Sequence, residues 1–224
     1  MNIEFLKKCR LFQNLDCEDL EDLARSSDLK ELKFNKGEFI FSVGDEADYL
    51  YILKSGIITV EKNDINGKRI IVNIFKKPGT IFGEVYLYLK DKSYDYSSVS
   101  ITNSEIISIP RDFILNLGRQ NKKYYMIIVD NMLEILSSKA FHLNQKLLIL
   151  SSYTLRQKIA NYLLQFCDHD KVSMNFNRKE LAEYIGTTRP SLSRELINMS
   201  NEGLIKVNKG EIIILNREYL EDIV

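Results

Sequence analysis

Apolar residues recur at alternating steps of three and four through Met126, Val129, Leu133, Leu136, Ala140, Leu143, Leu147 and Leu150. A seam with this period, held over more than three heptads, demands a long helix with an apolar stripe packed on something equivalent. A second set of apolar residues, Ile127, Ile128, Met132, Ile135 and Phe141, gives the same helix another face. Two apolar faces predict a helix shared between its own domain and the matching helix of a second copy, hence a homodimer.

Upstream the rhythm is different. Residues 28–110 read as short β-rich runs split by turns: "LKELKF", "EFIF", "YLYILKSG", "IITVEKN", "KRIIVNIF", "SSVSI" and "EIISI". Strands so closely spaced predict a compact barrel or sandwich. Six of the ten glycines (37, 44, 56, 67, 79 and 83) fall in this region, and Asn66-Gly67 is a hairpin signal because both residues accept positive φ. Residues 16–27 form a short amphipathic helix with acidic residues in its first turn. The "LSSYT" stretch, residues 150–154, places capping hydroxyls between the long helix and a new one running from Leu155 to Phe166, and is the expected hinge. "DHDK", residues 168–171, closes that helix as a solvated loop. The expected domains are therefore 1–118, 119–150 and 151–224.

Composition bounds the function classes. The chain is 45% hydrophobic and 28% charged with 3 Pro, which describes a folded protein, and its 224 residues suit two domains. No apolar run is long enough to cross a bilayer. The first residues, Met1 to Phe5, lack a basic stretch followed by an apolar one, so cytoplasmic residence is expected. Cys9, Cys17 and Cys167 are odd in number and show no C-x-x-C spacing, which argues against a disulfide framework or a four-cysteine cluster. Net charge is zero, and residues 151–224 balance ten basic against ten acidic side chains. A vote for nucleic acid must come from local placement.

That placement is found in "NRKELAEYIGTTRPSLSRELINMSNEGLIKVNKGEIIILN", residues 177–216. Asn177 and Glu180 have capping-box spacing for a first helix with Leu181, Ala182 and Ile185 inward. Gly186 permits a sharp turn, and Thr187 or Thr188 caps a second helix whose Leu192, Leu196, Ile197 and Met199 can face inward. Pro190 is tolerated in that helix's first turn, where backbone N–H groups lack intrahelical partners. "LIKV", Asn208-Lys209-Gly210 and "EIIIL" supply a two-stranded wing. The result is a winged helix-turn-helix. Arg189 and Arg194 on the outward face can fork onto guanine, Arg178, Thr188, Ser191 and Ser193 can reach phosphate, and Lys206 and Lys209 on the wing can touch the backbone. Only six basic residues face four acidic ones between 178 and 209, so the pattern, not the charge, carries the inference.

The glycine-punctuated strands, "GTIFGE", long seam helix, hinge and "IGTTRPSLSREL...EGLIKV" together resemble the CRP/FNR family of bacterial transcription regulators, over nearly the whole chain. The resemblance implies an α+β chain: an N-terminal jelly-roll β-barrel of the cyclic-nucleotide-binding kind, a dimerisation helix and a C-terminal winged helix-turn-helix. It also implies a homodimer on a palindromic operator that contacts RNA polymerase. Arg189, Ser193 and Arg194 match positions that touch bases in one branch or another. Pro190 stands where a glutamate is common, so neither branch's operator transfers. Half-sites about 34 Å apart are expected, with Arg194 the strongest base contact.

In nucleotide-binding members of that family a Gly-Glu pair holds the ribose and an arginine about ten residues later holds the cyclic phosphate. Gly83 and Glu84 match the first half; the second falls at Tyr94-Asp95, and no arginine lies between Arg69 and Arg111. An anion there would lose its charge-assisted partner, so cyclic AMP is not the expected effector. Glu84 serves equally well as a carboxylate bonding backbone amides of the roll. Tyr86, Tyr94 and Tyr96, with Tyr88, either fill the core, which is the default, or line a pocket for an uncharged or aromatic small molecule. Two histidines, His142 and His169, offer no haem or metal set. Thiol sensing through Cys9 or Cys17 stays open, with no neighbour arguing for a lowered pKa. No cofactor, metal or catalytic residue is expected. A cupin-type enzyme is excluded for lack of strand histidines, and a nucleotide-binding module of a kinase or channel by the winged helix. A constitutive DNA-binding regulator with a degenerate sensor is the remaining rival.

Overall fold

A computed structural model describes residues 1–63, 69–89, 93–118, 123–173 and 177–224. The Asn66-Gly67 hairpin signal lies outside the described residues. Two compact units, Met1–Ser137 and Ser138–Val224, divide the chain.

The first unit opens with α1 (Ile3–Leu6) and α2 (Cys17–Arg25), the latter capped by Asp16, whose carboxylate accepts from Asp19 N at 2.8 Å. Eight strands follow: β1 (Lys30–Phe34), β2 (Phe39–Phe41), β3 (Tyr49–Ser55), β4 (Ile58–Asn63), β5 (Arg69–Phe75), β6 (Ile81–Phe82), β7 (Ser97–Ser100) and β8 (Ser104–Pro110). They form two antiparallel four-stranded sheets with orders β1-β8-β3-β6 and β2-β7-β4-β5. This is a jelly-roll-like sandwich. The expected jelly roll is present and open, since no ladder joins the two sheets among the described residues. The strands near the seams are too short to carry one: β6 has two residues, and β2 has three with a register shift between Phe39 and Phe41.

Side-chain alternation on β3 and β8 explains how the roll is held. Leu50, Ile52, Ile107 and Ile109 point to one face, where they pack with Leu20 and Leu23 of α2 and with Ile128, Met132 and Ile135. Tyr51, Leu53 and Ile106 point to the other and pack with Phe41, Ile58, Phe82 and Tyr94. Both strands are thus buried on two sides, and period-two alternation sorts their side chains between two cores. After β8 come α3 (Arg111–Asn116) and the long α4 (Tyr125–Ser151). Asn131 fixes α4 to the N-terminal segment by donating to Leu11 O (3.0 Å) and Gln13 O (2.7 Å).

α4 ends at Ser151, and Thr154 caps α5 (Leu155–Phe166) through a complete capping box with Gln157. Then follow β9 (Lys171–Ser173), α6 (Arg178–Tyr184), α7 (Arg189–Asn201), β10 (Ile205–Asn208), β11 (Glu211–Ile214) and α8 (Arg217–Asp222). The wing is corrected from two strands to three, in the order β10-β11-β9. β9 begins at Lys171, inside the segment read as loop, after His169 and Asp170 turn the chain at positive φ. The second unit's core gathers Ile149, Ile159, Leu163, Val172, Leu181, Leu192, Leu196, Met199, Ile212, Ile214 and Leu220.

Candidate functional site

The outward face of α7 is the candidate nucleic-acid interface. Gly186, at φ +70°, turns the chain out of α6, and a Cβ there would approach Leu150 Cδ2 to 3.0 Å. Thr188 then caps α7, accepting from Ser191 N at 3.3 Å, and bonds the Ser191 hydroxyl at 2.9 Å. Pro190 sits in the first turn, where no donor is missed. Leu192, Leu196 and Met199 bury the inner face. Arg189, Pro190, Ser191 and Arg194 are exposed and Ser193 is half-buried. Lys206 and Lys209 are exposed on the wing, the latter in the turn completed by Gly210 at φ +88°.

One expectation changes. Ile197, read as inward, is 59% exposed, because the inner stripe is already filled by positions 192, 196 and 199 and the next residue rotates about 100° away. Arg178, expected to reach phosphate, is half-buried, and its Nη1 has no hydrogen-bond partner among the described residues. Burial pushes its guanidinium pKa down from the ordinary value. Arg178 lines a groove of about 310 Å³ together with Ser193, Ile197, Ser200, Asn201 and Val207.

One residue that sequence reasoning passed over orients this helix. Arg156, on α5, donates from Nε to Glu195 at 2.6 Å and from Nη1 and Nη2 to the two oxygens of Glu202 at 2.7 and 2.6 Å. The bidentate fork ties α5 to both the middle and the C-cap of α7. Only their spacing in three dimensions reveals it, since 39 and 46 residues separate the partners.

In the roll, Gly83 stands at φ +79°, and a Cβ would meet Tyr49 O at 3.2 Å and Tyr51 Cδ2 at 3.3 Å. Its place is dictated by the turn into a 3-10 segment, Glu84–Leu87. Glu84 is buried. Tyr94 is 2% exposed, stacks on Phe41 with centroids 3.8 Å apart, and donates its hydroxyl to Tyr49 O at 3.0 Å. Burial raises its phenol pKa, and that of Tyr51 to about 12. Tyr86 meets Tyr94 edge-on and donates its hydroxyl to Asp95. Lys62, on β4, lies 4.0 Å from Asp95 and 5.2 Å over the half-buried Tyr96 ring. Lys62 is a cation beside the Tyr94-Asp95 position, and it is partnered by Asp95.

The seam of α4 is mostly uncovered in the single chain. Met126, Leu133, Leu143 and Leu147 are 54–60% exposed, Leu150 37%, and Ala140 is exposed. Val129 and Leu136 are half-buried, and Leu136 packs on the first unit's core. Phe141, assigned to the covered face, is 59% exposed; it lies beyond Ser137, where the first unit ends.

Burial disfavours thiol sensing at Cys9. Cys9 is buried, donates to Phe5 O at 3.3 Å, and is pushed by burial to about 12, which keeps it a thiol. Among the described residues no group of three potential ligands could hold a metal, and no helix is long and apolar enough to cross a membrane.

Residues 31–121 match the cyclic nucleotide-binding domain, and residues 157–223 match the Crp-like helix-turn-helix domain. The chain is 26% identical to the cyclic AMP receptor protein of Thermus thermophilus, covering 97% of this chain and 98% of the relative. It is 26% identical to the anaerobic regulatory protein of Bacillus subtilis, covering 90% and 86%. Among solved structures, the Thermus thermophilus catabolite activator protein superposes with a TM-score of 0.54 at 26% identity, covering 96% of this chain and 97% of that one.

Proposed function

The chain belongs to the CRP/FNR family of transcription regulators, and on that premise we propose that it acts as a homodimer on a palindromic operator, gated by a small-molecule effector other than cyclic AMP. The observation that carries this reading is the pairing of an α7 outer face bearing exposed Arg189 and Arg194 with an uncovered apolar seam on α4. Self-association along the seam would present two α7 helices about one turn of DNA apart. Arg194 and Arg189 would read base edges, while Ser193, Ser191, Thr188, Arg178, Lys206 and Lys209 would hold phosphates. RNA polymerase would be the downstream partner.

Selection from random duplex DNA with the purified protein tests it. Enrichment of an inverted repeat with half-sites about 34 Å apart is the expected result; unpaired single sites, or no recurring sequence, would overturn it.

Cyclic AMP is disfavoured because its phosphate would meet Asp95, already engaged by Tyr86 and Lys62. An effector that suits Tyr86 and Tyr96 beside Glu84 is uncharged or aromatic. A second reading, a regulator that binds DNA constitutively, is favoured by one observation: Tyr94 is packed as core, stacked and hydrogen-bonded. Operator affinity measured with and without a metabolite extract separates the two. A change in affinity supports gating; none supports the constitutive regulator.

A further inference from the structure

The outer face of α7 carries one large aliphatic side chain among its polar ones. Ile197 is 59% exposed, whereas Leu192, Leu196 and Met199 are at most 2% exposed, so the core is complete without it. A single exposed isoleucine ordinarily needs no explanation. This one stands three residues after Arg194, about 4.5 Å along the helix axis and on the same side. It also shares the rim of the groove with Ser193 and Val207. Pro190, four residues before Arg194, is exposed too and offers no acceptor. The face therefore presents guanidinium donors with hydrocarbon on either side of Arg194.

In the major groove the hydrogen-bonding edges of the bases are polar, and the apolar feature they display is the C5-methyl group of thymine. We propose that Ile197 is a specificity-determining residue that packs on a thymine methyl one or two base pairs from the pair read by Arg194. A helix advance of about 4.5 Å against a base-pair rise of about 3.4 Å sets that spacing. The inference rests on the DNA-reading function proposed above. Duplex DNA is the occupant that the exposed arginines on the same face select.

The test uses the full chain and the duplex enriched by selection, with each thymine replaced in turn by deoxyuridine, which removes only the methyl. Wild-type protein should lose about fourfold in affinity at one position per half-site, and roughly fifteenfold when both half-sites are changed. Ile197→Ala should bind the thymine duplex more weakly and show no further loss on uracil. Ile197→Val, which keeps hydrocarbon at the contact, should retain most of the uracil penalty, and since the residue is exposed both variants should melt as wild type does. Uracil neutral at every position for the wild-type protein would overturn the assignment. An undiminished uracil penalty in Ile197→Ala would overturn it too, placing the methyl against another side chain. If selection returns no recurring sequence, the DNA-reading function itself has failed; if it returns one and uracil is neutral, only this assignment has.

Discussion

The interior of the roll and the outer face of α7 hold the two motifs that speak most directly to function, and they dispose of their polar groups in opposite ways. Around Gly83 and Glu84, the buried Tyr94 bonds Tyr49 O, while at the edge of this interior Tyr86 bonds the exposed Asp95, which has Lys62 as a neighbour. On α7, Arg189 and Arg194 are exposed and form no hydrogen bond or ion pair with another described residue. Polar groups at α7 that do find partners serve the helix itself: Thr188 with Ser191 caps it, Arg156 braces it through Glu195, and Asn198 donates to Glu195 one turn away. A motif in a packed interior answers first to turn geometry and ring packing. A motif on a braced surface answers to what binds it, because the fold asks nothing of it.

Substitutions that separate assembly and binding from stability sharpen this contrast. The largest effect is expected at the α4 seam: Leu143→Asp with Leu147→Asp would bury charge in any symmetric interface and weaken dimerisation roughly a hundredfold or more, read by sedimentation. A chain that stays dimeric would remove the seam from the interface. Arg156→Ala comes next, removing the fork that holds Glu195 and Glu202 and lowering the midpoint of urea unfolding; an unchanged midpoint would show that α7 needs no brace. Arg194→Ala should leave that midpoint alone and cost about 1 to 3 kcal/mol on the selected operator, with little loss on random DNA at fixed salt. Equal losses on both duplexes would make Arg194 a phosphate contact. The smallest effect belongs to Tyr94→Phe, which removes one hydroxyl bonded to Tyr49 O and should lower stability by about 1 kcal/mol with operator affinity unchanged. A shift in operator affinity from that change would break the contrast, since the roll's interior would then be signalling to the DNA-binding unit.

The elements visible in the sequence are those whose information is local. Asn177 with Glu180, and Thr188 before Pro190, mark helix starts with side chains three residues or fewer from the backbone groups they satisfy. The seam of α4 is visible because a 3.5-residue period repeats for seven turns' worth of chain. β6 and β9 are not visible in this way. Two or three residues are too few to show alternation, and these strands exist because Tyr51 and Ile52 in one case, and Ile212 and Ile213 in the other, offer them a ladder. Ile197 and Phe141 were misplaced for a related cause: hydrophobicity says that a side chain prefers burial, not that the core has room for it or reaches it.

By itself the sequence determined the order of parts: a β-rich unit, a long seam helix, a break within residues 150–154 and a winged helix-turn-helix with two arginines on the reading face. These follow from periodicity and capping, whose physics acts within a few residues. Tertiary structure alone decided that the roll is two open sheets, that Tyr94 is core, that Lys62 rather than an arginine stands beside Asp95, that Arg156 braces α7 and that Ile197 faces outward. Each of these depends on which distant side chains reach the same few ångströms first, and packing settles that only when the whole unit has closed.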